Sequence, residues 1–360
     1  NKSPLPNTIR WLIVIALSRT VAKLQRQTPN TPGAPTSASL PFARTALLAA
    51  LTLGAAAAQA QIDLSTYVRT GVFNLPSTTT GSNLLANEAS AVTYNWDRDS
   101  LFVVGDGGTA IVEVSKTGAL LGSMTLTGFT STAVGDPEGI AYIGNGQFVL
   151  SLERIRQAAL INYSAGGTAD IAAVTKVTLG PPGAGNNGNE GIAFDGGSSF
   201  VVVKQTSPQQ VFSTAINFGA LTSSNGNVSS EPTNLFNPAV FNATDLSDVY
   251  ALSALPIALT GADSGNLLVL SASSNRVWEV SRSGSILSQL NLEGTSAIAN
   301  EGLAMDFAGN LYVVNENGGG SVTVPQLWVY APVPEPGTWA LMVAGLGGLL
   351  AWRRRAVAQG

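Results

Sequence analysis

Five acidic residues recur along this chain at nearly constant spacing, each just ahead of a short apolar stretch. They stand in the phrases Asn87-Glu88-Ala89-Ser90-Ala91-Val92, Pro137-Glu138-Gly139-Ile140-Ala141-Tyr142, Asn189-Glu190-Gly191-Ile192-Ala193-Phe194, Ser247-Asp248-Val249-Tyr250-Ala251-Leu252 and Asn300-Glu301-Gly302-Leu303-Ala304-Met305. The steps between the acids are 50, 52, 58 and 53 residues. Carboxylates brought to one place repel one another unless something compensates. A hard cation with oxygen ligands, Ca²⁺ above all, is the economical compensation, and Glu138, Glu190 and Glu301 are its candidate ligands. Asp106, Glu153, Asn315 and Glu316, near the ends of the apolar runs that follow, are expected to form a second rim. Arg154, Arg156, Lys204 and Arg276 also follow such runs and would neutralise part of the charge. The competing reading makes each acid a clasp that accepts backbone N–H groups of its own or the next repeat, and its recurrence in every copy favours that reading.

The acids meet only if the repeat is rotational. A period near 50 built from strands is the signature of a radial β-sheet array. The second copy shows the unit: strands over 139–143, 147–153, 158–163 and 173–179, with Gly144-Asn145-Gly146 as a turn that needs positive φ and Gly166-Gly167 as another. The first copy predicts strands over 89–95, 100–106, 110–115 and 119–126, and the fourth over 249–255, 266–271, 276–281 and 285–292. The third carries a Ser/Asn/Pro-rich insertion over about 213–242, which has no clear period and predicts a surface loop. The fifth supplies only 302–307, 310–315 and 326–331. A strand-like run over 67–75, ahead of the first copy, would complete it and close the ring, removing the last open sheet edge. The fold class is therefore all-β, a β-propeller of five blades, or six if the insertion hides a degenerate one. The loop before each innermost strand opens at one mouth of the central channel, so Glu88, Glu138, Glu190, Asp248 and Glu301 are expected to form a ring there.

Composition narrows the chemistry. Of 360 residues 45% are hydrophobic and only 11% charged, against roughly 25% charged in ordinary soluble domains. The formal net charge is −4 and no basic stripe appears in the repeats, which argues against nucleic acid. Cysteine and histidine are both absent, so thiolate catalysis, Ser-His-Asp triads and His- or Cys-ligated zinc are excluded. No residue is nominated as catalytic. Gly183 to Gly191 lacks the strand-to-helix setting of a phosphate loop, and Trp96, Trp278 and Trp328 read as blade packing unless one of them faces solvent.

Both ends read as addresses. An apolar run over 46–58 follows Arg44 and ends in Ala58-Gln59-Ala60, the pattern of a secretory signal peptide cleaved after Ala60. Residues 1–43 ahead of it read as an over-extended frame. At the other end Pro334-Glu335-Pro336 leads into an apolar run over 337–352 closed by Arg353-Arg354-Arg355. This 332–360 tail resembles the PEP-CTERM sorting signal of Gram-negative bacteria. The resemblance implies export across the inner membrane, a membrane helix over 337–352 with the arginines on the cytoplasmic side, and processing by an exosortase-type enzyme. The folded domain is then expected over 61–331.

The phrases Asp136-Pro137-Glu138-Gly139-Ile140-Ala141-Tyr142, Asn189-Glu190-Gly191-Ile192-Ala193-Phe194-Asp195, Asp245-Leu246-Ser247-Asp248 and Asn300-Glu301-Gly302-Leu303-Ala304-Met305-Asp306 resemble the SdiA-regulated, YjiK-like family of bacterial β-propellers. That resemblance implies a propeller in the cell envelope and little about chemistry. Function is expected to be a binding module at the cell surface or in an exopolysaccharide matrix, with a polysaccharide or protein ligand and Ca²⁺ as its possible cofactor. The alternative is a Ca²⁺-dependent hydrolase of the lactonase or phytase-like propeller type, working through metal-held water.

Overall fold

The computed structural model describes residues 62–128, 136–183, 185–316, 318 and 324–333. The signal-peptide run, the Pro334-Glu335-Pro336 motif and the apolar run over 337–352 lie outside them. Among the described residues no helix is long and apolar enough to cross a membrane.

The first strand, β1 (Tyr67–Asn74), precedes five four-stranded units. Blade 1 is β2 (Ala89–Asn95), β3 (Ser100–Gly105), β4 (Ala110–Val114) and β5 (Leu120–Thr127). Blade 2 is β6 (Pro137–Gly144), β7 (Gln147–Leu152), β8 (Gln157–Asn162) and β10 (Lys176–Thr178), with β9 (Thr168–Asp170) between its last two strands. Blade 3 is β11 (Asn189–Phe194), β12 (Ser199–Lys204), β13 (Gln210–Asn217) and β14 (Thr222–Ser223). Blade 4 is β15 (Asp248–Ala251), β16 (Leu267–Ser271), β17 (Arg276–Val280) and β18 (Ile286–Asn291). Blade 5 is β19 (Asn300–Met305), β20 (Leu311–Asn315) and β21 (Gln326–Pro332), completed by β1. The β1–β21 pairing, Tyr67↔Pro332 through Asn74↔Gln326, closes the ring as the sequence predicts.

Burial explains the run-like character of the inner strands. Every residue of β2, β3 and β4 is buried, whereas β5 alternates toward solvent. Strands covered on both faces need continuous apolar runs, and an outermost strand needs only one apolar face. The apolar side chains form five clusters, each filling the wedge between neighbouring blades. Between blades 1 and 2 the Phe102 and Phe148 rings meet at 4.5 Å. The predicted turn after β6 is present, with Asn145 at φ 54° and Gly146 at φ 73°.

Two expectations need correcting. Gly166-Gly167 does not lead straight into the fourth strand of blade 2. The chain first crosses to blade 1, where β9 pairs in parallel with β5, Thr125↔Thr168, and only then returns as β10. The insertion in blade 3 hides no sixth blade among the described residues. It supplies the end of β13, the short β14 and a 3-10 turn, Pro238–Phe241.

All five innermost strands (β2, β6, β11, β15 and β19) start at one end of the channel and the second strands return to it. The domain's own ends emerge at the opposite end. Ile62 N–H donates to Asp263 at 3.0 Å, Tyr67 Oη to the Gly309 carbonyl at 3.0 Å, and Val333 N–H to the Thr66 carbonyl at 2.9 Å.

Candidate functional site

Strand register decides which side chains are equivalent. Val92, Ile140, Ile192, Val249 and Leu303 pair with Val103, Leu150, Val202, Val269 and Val313 of their second strands. Counting back two residues gives Ser90, Glu138, Glu190, Ser247 and Glu301. In blades 1, 2, 3 and 5 that residue sits where the ladder slips, as between Pro137↔Leu152 and Gly139↔Ser151 or between Asn300↔Asn315 and Gly302↔Val314. A bulge residue leaves the pairing and can be re-aimed, here toward the mouth. Three of the five predicted acids, Glu138, Glu190 and Glu301, are thus truly equivalent. Glu88 stands two residues ahead of the bulge, exposed and at φ 49°, where Ser90 takes the inner position. Asp248 stands one residue past it, where Ser247 takes that position. The two serines act alike: Ser90 Oγ accepts the Asp106 N–H and Ser247 Oγ the Ala272 N–H, both at 3.1 Å.

The following position explains the repeated Glu-Gly pair. A Cβ on Gly302 would lie 2.6 Å from Ala91 Cα of the next blade, and one on Gly139 2.6 Å from the Glu190 carbonyl oxygen. On Gly191 it would lie 2.1 Å from an Asp248 oxygen. Neighbouring inner strands are simply that close. At the same position in blade 4 the residue is Asp248 itself, 3% exposed. Its carboxylate accepts the Leu303 N–H of blade 5 at 2.8 Å and its own Val249 N–H at 2.7 Å. Asp248 is therefore an inter-blade clasp.

The mouth gathers more acid than the sequence marked. Asp106, Asp136 and Glu138 each place an oxygen within 4.8 Å of the others. Asp136 was missed as a site residue because the acid spacing marks Glu138 in its phrase; in register Asp136 matches Glu88 and Asp245, which stand two residues ahead of Ser90 and Ser247. Glu153 lies beside Glu190 and Asp136, and the Gly188 N–H donates to it at 3.0 Å. Burial, then the charges of Asp106, Asp136 and Glu153, push the Glu138 carboxyl well above its ordinary range. Burial and Glu138 do the same to Glu190. Burial pushes Glu301 up to about 7, helped by Glu316. Glu316 rises to about 7 through burial and the charges of Asp106 and Glu88, and Asp106 to about 6 through burial and Glu88. The structure brings Asp106, Glu153 and Glu316 of the expected second rim close to the mouth acids. Asn315 is fully buried, its Oδ1 accepting the Gly318 N–H at 2.8 Å.

The expected cations mostly go elsewhere. Arg154 pairs with Asp136 at the mouth. Arg156 is buried, its guanidinium held by Glu231 at 2.8 Å from the blade 3 insertion and by Asn189 and Gln210. Lys204 donates to the carbonyls of Thr206 and Pro208. Arg276 bonds Asn291 and lies over the Trp278 ring.

Below the acids the channel is apolar, lined by Val92, Ile140, Ile192, Val249 and Leu303, with a cavity of about 20 Å³, space for roughly one water. Its far end carries aromatic rings. Trp96 lies nearly parallel to Phe307 (7°, 6.4 Å) and Phe194 (26°, 6.2 Å), with Tyr142 edge-on at 4.5 Å. Trp278 and Trp328 are buried blade packing, as expected, while Trp96 is only half-buried.

The SdiA-regulated family model matches residues 74–318, and the chain belongs to that family. The PEP-CTERM protein-sorting motif matches residues 332–355; it implies export, exosortase processing and sorting to the envelope of a Gram-negative cell. Among solved structures, the chain is similar to a luciferin-regenerating enzyme at 12% identity, covering 74% of this chain and 96% of that one with a TM-score of 0.43. It is also similar to the PQQ-bound aldose sugar dehydrogenase of Streptomyces coelicolor (11% identity, 75% and 100% covered, TM-score 0.44) and to a gluconolactonase of Xanthomonas campestris (11%, 74% and 99%, 0.41). None of these is close enough to bear on activity.

Proposed function

We propose that this chain is an envelope-sorted binding propeller whose acidic mouth takes up a hard divalent cation, Ca²⁺ in the first place, and through it an oxygen-rich surface ligand such as a polysaccharide. One observation carries the reading: Asp106, Asp136 and Glu138 bring carboxylate oxygens within 4.8 Å of one another. Glu190, Glu153 and Glu301 crowd the same place, with Arg154 the cation paired there. Oxygen-only donors of this number suit calcium, which accepts 6–8 oxygens in flexible geometry. Glu138 supplies the inner ligand; Glu190 and Glu301, its equivalents in blades 3 and 5, extend the ring. The sorting motif supports the location, since it implies export and sorting to the envelope, where such ligands lie.

The hydrolase alternative draws support from Glu301 and Glu316, both pushed up to about 7, the range a general base needs. Thermal melting with and without CaCl₂ tests the cation reading. A rise of several degrees with the parent chain, abolished in Glu138→Gln, supports it; unchanged melting rejects it. Calcium-dependent opening of a lactone panel, lost in Glu301→Gln, would move the chain to the hydrolases.

A further inference from the structure

The face opposite the acids differs in charge as well as shape. Its cations are all paired, Lys116 with Asp99 and Asp306, Arg282 with Asp195, and Arg98 with Glu113, while Asp63, Asp97 and Asp263 accept hydrogen bonds from Ser65, Tyr142 and Ile62. It also presents apolar side chains to solvent. Phe307 at the channel end is 41% exposed, Ile257 in the loop of blade 4 is 64% exposed, and Leu221 in the β13–β14 hairpin is 59% exposed. Val333, where the chain leaves this face, is 49% exposed. Phe307 is the one aromatic ring more than a third exposed among the described residues.

We infer that this aromatic face is a bilayer-docking surface, resting against the membrane that the C-terminal tail enters and pointing the acidic mouth away from it. The inference rests on the reading of residues 337–352 as a membrane segment. Between Val333 and that run lie only Pro334, Glu335 and Pro336, which span at most about 11 Å fully extended. While the tail is in place, the point of exit must therefore lie near the lipid headgroups. The exit point belongs to the face that bears Phe307, Ile257 and the half-buried Trp96, residue types that favour the interfacial zone. Orientation thus follows from tether length and apolar exposure together, and it leaves the cation mouth open to large ligands.

The chain has no cysteine, so single labels are clean. The full chain, reconstituted in vesicles of phosphatidylethanolamine and phosphatidylglycerol, carries an environment-sensitive fluorophore at Phe307→Cys, Ile257→Cys or, on the acidic face, Asn186→Cys. Docking predicts that lipid-borne nitroxides remove most of the emission at Phe307→Cys and Ile257→Cys and little at Asn186→Cys. Both sites of the first face are exposed, and agreement between them guards against one disturbed variant. Flotation with the vesicles but equal quenching on both faces overturns the docking surface while sparing the tail reading. Failure to float overturns the membrane reading of the tail, and the docking surface with it.

Discussion

Asp306, fully buried, and Glu138, half-buried, are carboxylates at opposite ends of the same central channel, and they are treated in opposite ways. Asp306, at the aromatic end, accepts the N–H groups of Ala308 and Asn310 at 2.9 Å each, the Tyr312 hydroxyl at 2.9 Å, the Asn310 amide and the Lys116 ammonium at 3.0 Å. Burial alone would push its carboxyl up, but those donors hold it below the ordinary range. Glu138, at the other end, is surrounded by Asp106, Asp136, Glu153 and Glu301, and its carboxyl is driven up. The first carboxylate is fully served by the fold and is structural. The second is left by the fold with charge of its own sign around it, and that difference is the physical case for an outside cation.

The largest effect expected from breaking this contrast is at Asp306. Asp306→Ala takes one of two carboxylates from Lys116 and leaves several buried donors without an acceptor, and should cost about 3 kcal/mol in urea unfolding. Glu138→Gln should cost nothing at neutral pH without calcium, and should stabilise the calcium-free protein at higher pH. If both substitutions destabilise alike, the two ends are not different in kind.

Close behind comes the glycine that follows the acid. Gly302→Ala drives a Cβ to 2.6 Å from Ala91 Cα, and blade 5 must move away from blade 1 at a cost of about 2–3 kcal/mol. Gly265→Ala, where a Cβ meets nothing within 4 Å, should be silent in the same assay.

The pH dependence separates the ends by sign. A carboxyl raised in the folded state stabilises the fold below its unfolded value and loses that contribution as pH rises through the folded value. Asp106 at about 6, and Glu301 and Glu316 at about 7, therefore make the calcium-free protein less stable from about pH 4 to pH 8. Asp306, depressed, contributes above the ordinary aspartate range and loses its share only as pH falls through its lowered value. Melting temperature in chelator should fall by several degrees between pH 5 and pH 8, and Glu138→Gln/Glu190→Gln should flatten that slope. The smallest effect is at the surface: Ile257→Ser, at a side chain 64% exposed, should change unfolding by less than about 0.5 kcal/mol.

The fold was legible because each blade repeats one pattern of apolar runs, and strands such as β2, β3 and β21 fall within a residue or two of expectation. The detour of β9 was not, because a three-residue parallel pairing leaves no periodic trace. The site was legible in part. The phrase Glu-Gly located Glu138, Glu190 and Glu301, whose bulge position makes the glycine necessary. Glu88 and Asp248 share the spacing but not the register, and a slip of one or two residues turns a side chain elsewhere. Asp136 shares its register with Glu88 and Asp245, but blades 3 and 5 carry Gly188 and Ala299 there, so the acidic pattern at that position is too broken to announce it.

The most direct measurement is electron density at the acidic mouth of a crystal grown with calcium. The account predicts a strong peak at about 2.3–2.6 Å from oxygens of Asp106, Asp136 and Glu138. An empty mouth in such a crystal, with those carboxyls bridged only to one another and to water, would contradict it.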